Sequence, residues 1–141
     1  QPKAFEDMLA ATEYLRAQPG VLKRLGVVGF CYGGAIANRL AVAVPELRAA
    51  VPFYGSAPPL ENVGAIKAEL LLHFAQNDER VNASWPAFEA ALKAAGVTHT
   101  AHVYPGTQHG FHNDTTPRYD PEAAQIAWRR TVEFFNRTLR G

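Results

Sequence analysis

Cysteine is all but missing from this chain. One residue, Cys31, among 141 rules out an internal disulfide and any multi-cysteine zinc site, and it suits a reducing, cytoplasmic compartment. Excess charge is missing too. The 14 Lys and Arg against 13 Asp and Glu leave a formal net charge of +1 with no basic stripe, so nucleic acid is not an expected partner. Gly, Pro or a charge interrupts every apolar run well short of the ~20 residues that cross a bilayer, and no membrane partner is expected either. What is present is ordinary core material, 48% hydrophobic and 11% aromatic, which excludes disorder. The length predicts a single domain over residues 1–141 that buries roughly two thirds of the unfolded chain's surface.

The chain opens on Gln1-Pro2 rather than Met, inside what soon becomes a helical pattern, and no signal or transit segment is present after it. This suggests a piece of a longer protein, and the compartment stays open because a targeting segment can precede it. Phe5, Met8, Leu9, Thr12 and Leu15 recur at helical spacing until Pro19-Gly20. Leu25 to Phe30 reads as a buried strand, Gly33 to Val44 as a helix, and Ala49 to Tyr54 as a second strand. The stretch from Gly55 to Lys67 is irregular. Glu69 to Ala75 makes a third strand, followed by a polar loop at Gln76 to Glu79, and Ser84 to Ala95 an amphipathic helix. Thr98 to Tyr104 makes a fourth strand, turned by Pro105-Gly106. The last helix begins at Asp120, a natural N-cap, with Pro121 in the first helical position. Strands that are apolar throughout, alternating with helices, predict an α/β domain with a doubly wound, mostly parallel sheet.

Gly29-Phe30-Cys31-Tyr32-Gly33 stands where the first strand becomes a helix. This is the nucleophile-elbow pattern G-x-S-x-G with cysteine in place of serine. The flanking glycines permit a tight, strained turn, the sulfur projects at the C-terminal edge of the sheet, and the helix N-terminus favours thiolate. The Tyr32 amide points to where an oxyanion would form. The plain alternative is a buried structural cysteine in a glycine-rich turn. A thiol nucleophile needs a base, and the base an orienting carboxylate. Asp78 comes after the third strand and His109 after the fourth, in the order that the elbow pattern requires.

Other groups compete for these roles. His73 lies inside a strand, where packing and hydrogen bonding are the expected fate of an imidazole. His99 and His102 fall on opposite faces of the last strand. His109-x-x-His112 with Asp114 has metal-ligand residue types, without the fixed face of a helix. Glu79 adjoins Asp78 and can substitute for it. Arg118 and Tyr119 read equally as surface or pocket-rim groups. Tyr32, Phe53, Tyr54, Trp85 and Phe111 can line an apolar pocket, with Phe53 and Trp85 at least as readily core.

Four segments carry a resemblance: Gly29-Phe30-Cys31-Tyr32-Gly33-Gly34; Phe53-Tyr54-Gly55; Asp78-Glu79-Arg80-Val81; and Tyr104-Pro105-Gly106-Thr107-Gln108-His109-Gly110-Phe111. In register over nearly the whole chain, the sequence resembles the dienelactone hydrolase family of α/β-hydrolases, and specifically its C-terminal portion. The resemblance implies an α/β-hydrolase sheet truncated to about four strands with flanking helices, and a Cys31-His109-Asp78 triad that opens a small-molecule ester or lactone through a thioester. Of the aromatic pocket candidates, Tyr54 and Phe111 are the expected substrate-binding residues. No metal or organic cofactor is implied. The remainder of such a fold would supply a second oxyanion donor, a glutamate that engages the resting cysteine and a carboxylate-gripping arginine. Four residues after His109, where the family pattern has another arginine, this chain has Asn113. The family's strand order would leave the Leu25–Phe30 strand as an unpaired edge, so a homo-oligomer or pairing with an N-terminal half is expected. Two other roles fit the same residues: a non-catalytic module that assembles through that edge, and a redox-sensing thiol acting between subunits.

Overall fold

The computed structural model describes residues 2–21 and 23–140; Gln1, on which the expectation of a preceding segment rests, lies outside them. The elements run α1 (Pro2–Arg16), β1 (Gly26–Phe30), α2 (Tyr32–Ala43), β2 (Ala49–Phe53), a 3₁₀ turn (Leu60–Ala65), β3 (Glu69–Asn77), α3 (Glu79–Ala83), α4 (Trp85–Ala94), β4 (His99–Gln108) and α5 (Pro121–Phe135), closed by a π-helical turn (Asn136–Arg140). The four strands form one sheet in the order β1-β2-β3-β4, and every pairing is parallel.

Two hydrophobic layers sandwich the sheet, as the alternation of side chains along β3 requires. Leu70, Leu72 and Phe74 face a cluster with Ile36 and Leu40 of α2 and Phe88 and Leu92 of α4. Leu71 and Ala75 face the other cluster, with Phe53, Tyr104, Phe111 and the α5 residues Ala123, Ala127 and Phe134. The expectation of strands covered on both faces holds for β2, buried at all its positions, and for the centre of β3. It fails at the edges. β1 has one paired neighbour, with Val28 and Phe30 each 37% exposed, and β4 leaves Val103 exposed.

Three local features depend on side-chain hydrogen bonding that periodicity does not report. Pro105-Gly106 does not end β4: the strand continues to Gln108 through a register irregularity opposite Ala75 and Asn77. Gly106, at φ +75, donates its N–H to Gln76 Oε1 at 2.7 Å, and Thr107 Oγ1 donates to the Tyr104 carbonyl at 2.7 Å. A bulge of this kind bends the strand and re-aims the next side chains along it, here His109. The expected loop at Gln76 to Glu79 is divided between the end of β3 and the start of α3. Asn82 fastens that corner by donating to the Ala75 carbonyl at 2.8 Å. The start of α5 matches its sequence pattern: Asp120 Oδ1 accepts from the Ala123 N–H at 3.0 Å, with Pro121 in the first turn.

Candidate active site

Cys31 occupies the junction of β1 and α2 at φ 59, ψ −122, a conformation that costs a non-glycine residue about 1–3 kcal/mol. Its surroundings hold it there. The Cys31 N–H donates to the Phe53 carbonyl at 3.1 Å, and the Cys31 carbonyl accepts from Gly34 and Ala35 at 2.9 and 3.2 Å. The turn closes only because its neighbours lack side chains. A Cβ on Gly34 would lie 2.6 Å from the Phe53 carbonyl oxygen, and one on Gly29 would collide with the Gly33 carbonyl. Tyr32 opens α2, so its backbone N–H belongs to the first helical turn beside the sulfur, and its side chain is 49% exposed.

Asp78 sits between β3 and α3, and His109 comes directly after the bulge that ends β4. The His109 Nδ1–H donates to Asp78 Oδ2 at 2.6 Å, a short charge-assisted bond. The Asp78 side chain is 8% exposed and that of His109 31%. The buried carboxylate thus fixes the ring tautomer and leaves Nε2 as an acceptor toward solvent or substrate. Glu79, the alternative carboxylate, is exposed in the first turn of α3. Arg118 donates from Nε to the His109 carbonyl at 2.7 Å.

Among the described residues the His109 ring bonds Asp78, and no hydrogen bond joins it to the Cys31 thiol. Tyr54 is a neighbour of both Cys31 and His109. It adopts φ 39, donates its N–H to the His73 carbonyl at 2.7 Å, and shares a pocket with Cys31, while its ring centroid lies 4.9 Å from that of His109. Burial, and then the nearby Cys31, push the Tyr54 phenol up to about 12, so it stays protonated as a donor. Burial also pushes the Cys31 thiol up; the Arg118 charge opposes this and Asp78 reinforces it. Desolvation, the largest of these influences, acts in the opposite sense to the thiolate-favouring one expected at this turn. Phe111 is fully buried and lies under the site, edge-on to Tyr54 at 5.3 Å, so it props the pocket's floor without lining it.

The pocket has a volume of about 1020 Å³. Phe30, Cys31 and Tyr54 form one wall, and the other comes from the His112–Asp114 segment and from α5, including Glu122 and Trp128. Sequence reasoning missed the α5 wall, although its residues recur at positions 121, 124, 125 and 128, the spacing of one helical face. His112 packs its ring against Phe30 and Trp128, with centroids 5.2 and 5.6 Å apart, and burial lowers its pKa. Among the described residues no three His, Cys, Asp or Glu side chains gather as a metal site, and no helix is long and apolar enough to cross a membrane. Phe53 is core, as is Trp85, which packs on Phe74 at 4.9 Å.

His73 forms a separate buried network. Arg130 donates to the Tyr104 hydroxyl at 3.2 Å, which donates to His73 Nδ1 at 2.8 Å. His73 Nε2–H donates to Thr131 Oγ1 at 3.0 Å, and Thr131 passes its own proton to the Ala127 carbonyl at 2.8 Å. Each proton has one place to go, and burial holds the imidazole neutral with its pKa lowered to about 3.

Comparison with known proteins places this arrangement. The model of the dienelactone hydrolase family matches residues 1–139. A Saccharolobus solfataricus protein named "Putative carboxymethylenebutenolidase" is 36% identical over 97% of this chain and 52% of its own length. A Bradyrhizobium protein named "Probable 2-oxo-3-(5-oxofuran-2-ylidene)propanoate lactonase" is 32% identical over 99% of this chain and 61% of its own. The crystal structure of a Klebsiella pneumoniae protein described as "Putative Dienelactone Hydrolase" superposes with a TM-score of 0.83 at 27% identity, covering 93% of this chain and 59% of that one. The chain thus spans between about half and three fifths of the length of these relatives.

Proposed function

The chain belongs to the dienelactone hydrolase family, and from that premise we propose that it carries the nucleophile, base and acid of an enzyme that hydrolyses a small ester or lactone through Cys31, His109 and Asp78. The observation that carries this reading is the 2.6 Å bond between His109 and Asp78, at the sheet edge where the strained Cys31 turn also ends.

The steps are set by the groups present. As the Cys31 sulfur attacks the carbonyl carbon, its proton passes to His109 Nε2, and Asp78 stabilises the imidazolium. The carbonyl oxygen becomes an oxyanion, held by the Tyr32 N–H and a second donor from the rest of the protein. Collapse breaks the ester C–O bond, and the departing oxygen takes the proton from His109. In a lactone that alcohol stays tethered to the acyl group. Water then attacks the thioester, giving a proton to His109 that returns to the sulfur as the acid departs. Because the resting thiol is protonated, attack and proton transfer are concerted in this scheme. His109 must come within hydrogen-bonding reach of the sulfur once substrate is seated, and the turn between Gln108 and Asn113 is the segment to move. Tyr54 adds a phenolic donor at the pocket wall. The family and its relatives' names favour lactones as the first substrates to try.

The test uses a panel of short esters and lactones with this chain. Turnover should vanish in Cys31→Ala and fall steeply in His109→Ala. If Cys31 alkylates no faster than a model thiol and His109→Ala leaves that rate unchanged, the activated-nucleophile reading fails. The exposed edge of β1, with Val28 and Phe30, favours a second reading in which the domain assembles through that edge, as a homo-oligomer or with an N-terminal half. Unchanged assembly in a Cys31→Ala protein that has lost turnover would separate the two.

A further inference from the structure

Asp78 and His109 extend neighbouring strands, so register decides whether they meet. β3 and β4 pair as Ala75 with Tyr104 and next as Asn77 with Gln108, so β3 advances two residues while β4 advances four. In an uninterrupted parallel ladder Asn77 would face Gly106, and Asp78 would face Thr107. The two extra residues carry β4 forward by an even number, which keeps every side chain on its own face, and they bring His109 beside Asp78. A bulge leaves backbone groups out of the ladder, and each needs another partner. Gln76, on β3 opposite the extra residues, supplies them. Its Oε1 accepts from the Gly106 N–H at 2.7 Å, its N–H donates to Thr107 Oγ1 at 3.3 Å, and its carbonyl accepts from Asn82 Nδ2 at 3.3 Å. Asn82 in turn donates its N–H to the Asp78 carbonyl at 2.9 Å. One residue is thereby tied both to the strand end that carries the base and to the helix that starts from the acid.

We infer that Gln76 is the positioning residue of the acid–base pair: its side chain holds the β4 bulge in the register that brings His109 onto Asp78. The inference deepens the proposed function and takes its catalytic meaning from His109 being the base. Gln76 is exposed and does not line the pocket that holds Cys31, so its influence on the reaction runs through His109 and not through substrate. The two ends of the bulge are secured differently. Thr107 is buried and anchored by donating to the Tyr104 carbonyl at 2.7 Å. Gly106, in the left-handed region at φ +75, is held by the Gln76 amide oxygen. Without that oxygen the Gly106 N–H turns to water, and the backbone gains freedom at a glycine hinge three residues before the base. A base displaced by about 1 Å loses on the order of 10²-fold in rate.

Gln76→Met keeps the length of the side chain and removes the acceptor, whereas Gln76→Glu keeps an acceptor oxygen at the same reach. The first readout is proton NMR of the ring N–H groups, which needs no turnover. The His109 Nδ1–H, bonded to a carboxylate and identified by its loss in His109→Gln, should shift upfield and exchange faster with water in Gln76→Met. It should keep its wild-type position in Gln76→Glu at moderate salt, where an exposed charge is screened. The His73 Nε2–H, bonded to Thr131 from the same strand, should stay in place in both variants and controls for a general loosening. The second readout is kinetic: kcat on an ester or lactone should fall about tenfold to a hundredfold in Gln76→Met with KM unchanged. An unmoved His109 resonance in Gln76→Met overturns the inference. So does a glutamate variant that behaves like the methionine one, and so does a His73 resonance that moves as far as that of His109. Failure of the proposed function looks different: with no turnover in the wild-type chain, or turnover that survives Cys31→Ala, the NMR result alone decides whether Gln76 sets the register.

Discussion

Acidification should destabilise this protein through one residue more than any other. His73 is fully buried on β3, packed at a tilt against Phe53 with centroids 4.4 Å apart, and both ring nitrogens are used, Nδ1 accepting from Tyr104 and Nε2 donating to Thr131. A second proton would have to sit on Nδ1, against the Tyr104 hydroxyl, with Arg130, His102 and His112 nearby. Burial is the largest of the forces that lower the pKa from 6.5 to about 3, and those three neighbours act in the same direction. The unfolded chain takes up this proton near pH 6.5 and the native chain only near pH 3, so the unfolded state binds more protons throughout that window. Stability from this source is complete above pH 6.5 and drains away as the pH falls toward 3. By pH 5 the loss from His73 alone is about 2 kcal/mol, a large share of a small domain's stability. Urea unfolding between pH 5 and 7.5 should show this slope. His73→Gln keeps a donor and an acceptor but cannot titrate. It should be less stable than wild type at pH 7, by about 1–3 kcal/mol, and should have a shallower pH dependence. The residual slope would belong to His102 and His112, whose pKa values burial also lowers. Superimposable pH profiles for the two proteins would refute the reasoning.

Asp78→Asn should leave the fold intact and cut ester or lactone turnover by roughly 10³–10⁴, because the His109 tautomer is then no longer fixed; steady-state kinetics reads this directly. Gly34→Ala places a methyl 2.6 Å from the Phe53 carbonyl oxygen, so the elbow must open; a stability loss of about 1–3 kcal/mol should accompany a change in Cys31 alkylation rate. Phe30→Asp puts a charge on the exposed edge strand, and light scattering should register a drop in any self-association through β1.

The parallel α/β order was legible because each strand is a compact apolar run closed by Gly, Pro or polar residues. That Asp78 and His109 would meet was legible, because the elbow pattern names the strands after which their loops come. Burial was less legible. Val28 and Val103 have the residue types of interior strands; the resemblance already pointed to β1 as an edge, and the sheet order adds β4. The continuation of β4 past Pro105-Gly106 depends on Gln76, about thirty residues away, bonding Gly106 and Thr107, a contact with no trace in local propensity. Phe111 shows the same limit: nothing in its local sequence tells that its side chain is fully buried edge-on to Tyr54.

Cys31 shows how two local influences of opposite sign are resolved by context. A helix N-terminus favours thiolate by a modest amount that fades with solvent exposure, whereas removing a sulfur anion from water costs more as the site is enclosed. Here the sulfur lies half-buried between the core aromatics and the pocket, and enclosure prevails.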